Sequence, residues 1–452
     1  MKLSTLSVVA GVVASCYASD PNERSQKTPS YQYLPPLREQ AKLQDKWVTE
    51  RKGAIPKLLE KHGVDAWLIS QREYAEETVF WSLKQGAQFS ARRRTTFLFL
   101  SPTADGSPTS YAWIDNTPLV WDELRAVLDK HDPARIAVDT HREIAFSSGM
   151  HAGELSAAAA ALGDHWAKRF VDVPMVAVEY IGTQIGARLP WYRKLQETAW
   201  AIIDEGFSEK VVVPGETTTE DVEWWMRDKI QSLNYTTWFQ PSVSIVRPDA
   251  PFVGEPPKDS ESADKPITYG DLLHVDFGVT ALGMNTDTQH LGYVLRPGES
   301  SNDDVPQGYR DGLRKGNRLQ DIVRENMVPG KTGNEILTAA RKQMTDEGIE
   351  GLIYCHPIGD WGHSAGTVIG MTNLQDKVPV LGDLPLIDNT WYSVELLVEH
   401  FVPEINATVQ FPLEEDVYRT SEGTFEWVYG RQEKFHLVQP AKGASWDGTG
   451  EL

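Results

Sequence analysis

Two decapeptides, VPGETTTEDV at Val213–Val222 and VPGKTGNEIL at Val328–Leu337, stand 115 residues apart, starting at 213 and 328. Each follows a long amphipathic stretch and supplies a Pro-Gly turn, a Thr cap and an acidic first turn. Each then opens a second amphipathic run with a strand-rich segment behind it. A unit of this kind cannot bury its apolar face alone, so two copies must pack against one another. The repeat therefore predicts a pseudo-symmetric α+β domain over 182–440, with its site between the copies. The Gly-Lys-Thr at Gly330 is not a nucleotide loop, because Glu325 occupies the place of the required first glycine.

Upstream, after a polar lead-in from Asp20 to Pro36, residues 37–181 alternate helical and strand patterns. A helix ending near Gly63 leads to a strand at Ala66–Ile69. RTTFLFLS, SYAWID and RIAVD are further strands, and Leu119–His131 is a helix. This is an α/β layer domain without a glycine-rich phosphate loop or an acid–histidine cluster, which fits a scaffold or substrate-capping role.

With 452 residues the chain is long enough for two such domains. A net charge of −20 argues against a nucleic-acid partner, and the basic run Arg92-Arg93-Arg94 reads as a solvated or ion-paired strand edge. Residues 1–18 have the build of a secretory signal: Lys2, an apolar core from Leu3 to Ala14, and Cys16-Tyr17-Ala18 before the cut. That core is too short to span a bilayer, so a soluble secreted protein with no membrane anchor is expected. Its removal leaves Cys355 as the single cysteine, without a disulfide. Asn-Tyr-Thr at Asn234 and Asn-Ala-Thr at Asn406 are sequons compatible with a glycoprotein.

Within the second half, LLHVDFGVTALGMNTDTQHLGYV (Leu272 to Val294) has the alternation of a β-hairpin. A two-residue loop at Ala281-Leu282 would set Asp276 directly opposite Asp287. Opposed side chains lie roughly 4.5–5.5 Å apart at Cβ, and like charges there repel. A cation is expected between them. Glu395 (WYSVELLVEH) and Glu414 (VQFPLEEDV) also sit on apolar strands, and His356 and His363 lie in the glycine-flanked HPIGDWGHSAG. No lysine or arginine in these segments matches the carboxylates, and buried charges must be paired or bound to metal. Four carboxylates and a neutral imidazole carry −4, which two divalent cations cancel.

The order Asp276, Asp287, His363, Glu395, Glu414 resembles that of the pita-bread metallopeptidases: Xaa-Pro aminopeptidases, prolidases, methionine aminopeptidases and creatinase. The resemblance covers Trp191 to about Tyr418, and 37–181 looks like the amino-terminal domain of the aminopeptidase P, prolidase and creatinase branch. It implies a two-domain fold, α/β followed by pita-bread, and a metallohydrolase with two divalent ions. Manganese leads, with cobalt, zinc or iron as alternatives, since oxygen donors with one imidazole suit these metals. By position it makes Asp276, Asp287, His363, Glu395 and Glu414 the metal ligands. It gives Glu395 the proton of the attacking water, and His363, beginning the His-x-x-Gly match HSAG, a place in catalysis.

Three positions depart from that pattern. The family's histidine before the first aspartate strand is missing from WFQPSVSIVRPDAPFVGEPP, the one after His-x-x-Gly is missing from TVIGMTN, and the arginine three residues after the second aspartate is His290. His356 is the candidate to replace one of them as a catalytic group, and His274 shares a strand face with Asp276 as its neighbour. The leading expectation is an Xaa-Pro aminopeptidase or dipeptidase. The alternative is a same-fold hydrolase or lyase acting on a non-peptide small molecule, which the bulk of Trp361 near the entrance would suit. A binding protein without catalysis is weakest, because all five ligand positions are filled. A homodimer is one assembly open to such a chain.

Overall fold

The computed structural model describes residues 27–103, 106–147, 149–248 and 265–440. Residues 1–26, which include the expected leader and Cys16, and residues 249–264 lie outside the described residues. Chain order begins α1 (Leu37–Lys61), β1 (Ala66–Arg72), α2 (Thr78–Leu83), β2 (Arg94–Leu100), β3 (Ser110–Ile114), α3 (Leu119–His131) and β4 (Ile136–Ala137). There follow α4 (Ala152–Leu162), α5 (Asp164–Ala167), β5 (Phe170–Val171) and α6 (Met175–Gly182). The five strands form one sheet in the order β3-β2-β1-β4-β5. β1 is antiparallel to β2 and parallel to β4, so its residues Ala66 to Gln71 are buried on both faces, as a central strand between helices should be. Of the basic run, Arg94 is buried against Glu154, with Nε 2.6 Å from Oε1, and Arg93 lies 3.5 Å from Glu73.

The second half opens with α7 (Leu189–Gly206), α8 (Thr219–Ser232), β6 (Ser242–Ile245), β7 (Leu272–Phe277), β8 (Thr280–Ala281), β9 (Met284–Asn285) and β10 (Thr288–Val294). It continues with α9 (Gln307–Asn326), α10 (Gly333–Asp346), β11 (Glu350–Ile353), β12 (His356–Ile358), β13 (Trp391–Val402), β14 (Ala407–Arg419), β15 (Phe425–Trp427) and β16 (His436–Val438). Nine of these strands form one sheet, along β11-β13-β14-β10-β7-β6, with β12 on β13, β15 on β14 and β16 on β10. No helix among the described residues is long and apolar enough to cross a membrane.

The repeat is visible in detail. The Pro-Gly turns place Gly215 and Gly330 at φ +88° and +84°, a conformation that glycine takes without steric cost. Gly215 N–H donates to the Ile267 carbonyl and Gly330 N–H to that of Leu386. Each following helix starts with a complete capping box, Thr218 with Asp221 and Thr332 with Glu335. The caps stand 114 apart (218 and 332) while the glycines stand 115 apart (215 and 330), so the first turn holds one residue more.

The two halves share their packing. Trp47 of α1 sits in one cluster with Tyr192, Phe277 and Met284, while Ala365 and Ile387 join Trp67, Phe80 and Tyr180 of the first half. Burying a tryptophan contributes on the order of 4–6 kcal/mol as an upper bound. Helix α1 is thus a structural part of the second half's core.

Candidate metal centre

The aspartate hairpin turns at Leu282-Gly283, with φ +55° and +70° and with Ala281 paired to Met284. Two central residues at positive φ match the twist of the flanking strands, and glycine is favoured at the second. The expected loop at Ala281-Leu282 is therefore displaced by one residue. Asp276 faces Gln289, not Asp287. Because the register moved by two, an even number, no side chain changed face. Asp276 and Asp287 remain diagonal neighbours on one side of the sheet. Gly278 lets the strands close here: a Cβ would stand 2.1 Å from the Thr286 carbonyl oxygen.

From this register a single rung crosses five strands. Ser242 pairs with Asp276, Asp276 with Gln289, Gln289 with Glu414, and Glu414 with Glu395. His356 on β12 pairs with Ser393, two residues before Glu395, and so enters from the same face. Its Nε2 is 3.4 Å from Glu414 and 3.7 Å from Asp287. Its Nδ1 lies 3.0 Å from the Pro357 carbonyl, which can only accept. The proton is thereby on Nδ1, and the Nε2 lone pair points at carboxylates.

Ligand atoms of Asp276, Asp287 and Glu414 lie within 4.8 Å of one another, as do those of His356, Glu395 and Glu414, and those of Asp287, His356 and His363. Burial first, and the Glu414 charge second, push the carboxyls of Asp276, Asp287 and Glu395 well above the usual range. His356 Nε2 and Asp276 Oδ1 are buried without a hydrogen-bond partner. An imidazole lone pair facing four acids is repulsive unless a cation lies between, so the donor set fits a divalent metal.

Both histidines reach the centre, His356 the more deeply. His356, read as auxiliary, is 2 % exposed and makes the short contacts to carboxylates. His363, read as the ligand, is exposed at the rim with its ring 4.5 Å from that of His356. Strand pairing explains this. β12 locks His356 onto β13, whereas His363 follows the Gly359–Gly362 bend and lies beyond the strand. The protein packed around its ring, then His356, lowers the His363 pKa to about 4, although the residue as a whole is exposed. Trp238 meets its ring edge-on at 5.1 Å, and Tyr354 Oη is 3.5 Å from its Nε2.

Sequence reasoning passed over several groups. Gln289 donates to both Glu395 and Glu414, and Ser393 Oγ donates to Glu414 at 2.6 Å. Asp416, on the metal face of β14, accepts from Tyr192 Oη and from the Asp287 N–H. Glu415 points the other way, to His290 Nε2 at 2.7 Å and Trp200 Nε1 at 3.2 Å. His290 reaches His436 at 3.0 Å, and His436 reaches Asp204 at 3.2 Å. Burial pushes the Glu415 carboxyl up and the His290 imidazole down to about 3, disfavouring the charged form of each. His290 therefore faces away from the site.

Behind the centre, Arg188 binds the hairpin tip through the Gly283 carbonyl at 2.8 Å and the histidine loop through Asp360 at 2.6 Å. Arg51 of α1 takes the other Asp360 oxygen at 2.7 Å. Burial raises the Asp360 pKa, but Arg51 and then Arg188 pull it below the usual range.

The X-Pro aminopeptidase of Thermotoga maritima is similar at a TM-score of 0.55 and 16 % identity, over 84 % of this chain and 100 % of that one. The dipeptidase PepE of Mycobacterium ulcerans gives 0.54 and 19 %, over 87 % and 99 %. A dipeptidase of Pyrococcus horikoshii gives 0.53 and 17 %, over 86 % and 99 %. No curated protein sequence matches the chain. The likeness to these structures establishes the fold. Residues 191–415 match the model of metallopeptidase family M24, and through them the chain is a member of that family, the pita-bread metallohydrolases.

Proposed function

We propose that the chain is a secreted hydrolase with a dinuclear metal centre that cleaves small peptides at Xaa-Pro bonds. The carrying observation is the unpartnered Nε2 of His356, aimed from β12 into the rung of acids. Asp276, Asp287 and Glu414 would hold one ion, and His356, Glu395 and Glu414 would hold the other. Bound there, two divalent cations lower the pKa of water and polarise a carbonyl, and manganese leads among metals suited to these donors. Glu395 would take the proton of the attacking water and return it to the leaving nitrogen. His363, at the rim beside Tyr354 and Trp238, meets the substrate and donates to the oxygen where negative charge develops. His363 thereby takes the place on the substrate side that WFQPSVSIVRPDAPFVGEPP and TVIGMTN leave without a histidine.

A non-peptide substrate is favoured by one observation. Trp238, Tyr354 and His363 offer aromatic edges beside the acids, which suit a small planar molecule. The test is to strip the protein with chelator, reload it with Mn, Co, Zn or Fe, and assay Xaa-Pro peptides beside C–N and C–S small molecules. Metal-dependent release of the residue before proline is the expected result. Stoichiometric metal uptake with turnover of the small molecules alone would transfer the assignment to the second reading. Failure to take up metal would remove both.

A further inference from the structure

The middle member of the rung is an amide, not an acid. Gln289 lies between Glu414 and Asp276 and is 6 % exposed. Its Nε2 is 2.9 Å from Glu395 Oε1 and 2.8 Å from Glu414 Oε2. An ionised carboxylate only accepts, so the amide must turn its NH2 toward both glutamates. Its oxygen then faces His274, whose Nε2 is 2.9 Å from Oε1 and must carry the proton. His274 is two residues before Asp276 on β7, directly across from Leu291. Every donor in the chain from His274 through Gln289 to the two glutamates therefore has a fixed direction.

We propose that Gln289, oriented by His274, is a positioning residue that presets Glu395 and Glu414 for metal uptake. The two amide protons each hold one carboxylate oxygen, so the glutamates keep one separation even though their charges repel. The remaining oxygens then meet a cation without reorganisation. Partners that orient a ligand in this way are typically worth about 10–100-fold in metal affinity. A glutamate at 289 would add a fifth acid and lose both donors, whereas alanine would simply release the two glutamates. The inference rests on the metal-centre reading above, and its test separates the two.

Chelator-stripped wild type, Gln289→Ala, Gln289→Glu, His274→Ala and the Gln289→Ala/His274→Ala double variant would be titrated with Co(II). Calorimetry and the visible spectrum of bound cobalt are the readouts, with circular dichroism as the check on folding. Gln289→Ala should bind about 10–100-fold more weakly and change the cobalt spectrum. His274→Ala should weaken binding less, and the double variant should be no weaker than Gln289→Ala, because His274 acts only through the amide. Folded Gln289→Ala with wild-type affinity and spectrum would overturn the proposal. So would additive losses in the double variant. Should Gln289→Ala not fold, His274→Ala decides: unchanged cobalt affinity and spectrum overturn the proposal, and a loss supports it. Wild type that takes up no cobalt would overturn the metal-centre reading along with it, an outcome distinct from all the others.

Discussion

Arg51, in the first helix described, donates to Asp360 at 2.7 Å across 309 residues of sequence, inside the molecule and beside the loop that carries both histidines. Asp360 accepts from Arg188 as well, at 2.6 Å. Removing one member of a buried pair strands a charge, typically at about 3–5 kcal/mol. Asp360→Leu strands two guanidiniums and should approach that loss, measured by chemical denaturation. Arg51→Met leaves Arg188 on Asp360 and should lose less. Equal stability of Asp360→Leu and wild type would contradict the reading of this triad.

His356→Ala and His363→Ala should separate cleanly. The first should lower metal content and with it all turnover, because Nε2 faces Glu414 and Asp287. The second should bind metal normally while kcat falls ~10²–10⁴-fold, the range of an electrostatic or acid–base group. Metal analysis beside kinetics checks both. Loss of metal in His363→Ala with retention in His356→Ala would restore the assignment made from sequence.

Asp139 is fully buried in the first half, and burial, then the Asp172 charge, raises its pKa from 3.8 to about 8. In the folded chain it binds a proton that the unfolded chain releases above pH 4. Its contribution to stability is therefore complete below about pH 4 and declines as pH rises toward about 8. Asp139→Asn should remove that decline. The variant should be more stable than wild type at pH 8, by on the order of a few kcal/mol, with the gap closing toward pH 4. Thermal melts across this range decide it, and a gap that widens toward low pH would refute the account.

The proposed export predicts a mature chain starting near Ser19. Amino-terminal sequencing of protein from culture medium is the measurement. Intact Met1 on protein retained in the cell would count against it.

What was legible in the sequence was what repeats or alternates. The decapeptide echo gave the duplicated helix–turn–helix unit, and period-two alternation put Asp276, Asp287, Glu395 and Glu414 on one face. What was not legible depended on backbone geometry at single residues. The turn settled on Leu282-Gly283 because positive φ is needed at both central positions, and this exchanged Asp287 for Gln289 opposite Asp276. Gln289 carries no charge and belongs to no familiar motif, so only the cross-strand pairing marks it. His356 and His363 lie seven positions apart in a glycine-rich loop, where spacing does not say which one a strand will capture.

The acidic run Glu414-Glu415-Asp416 has a consequence for anyone aligning this chain with distant relatives. Side chains alternate along β14, so Glu414 and Asp416 face the metal side while Glu415 binds His290 on the other. To a substitution table the three letters are almost interchangeable, and a gap shifted by one costs next to nothing in score. In the molecule that same shift trades a ligand for a residue on the far side of the sheet. Alignments through this segment should be anchored on strand parity, with Glu395 held opposite Glu414, before any conclusion is drawn about which acids a relative keeps.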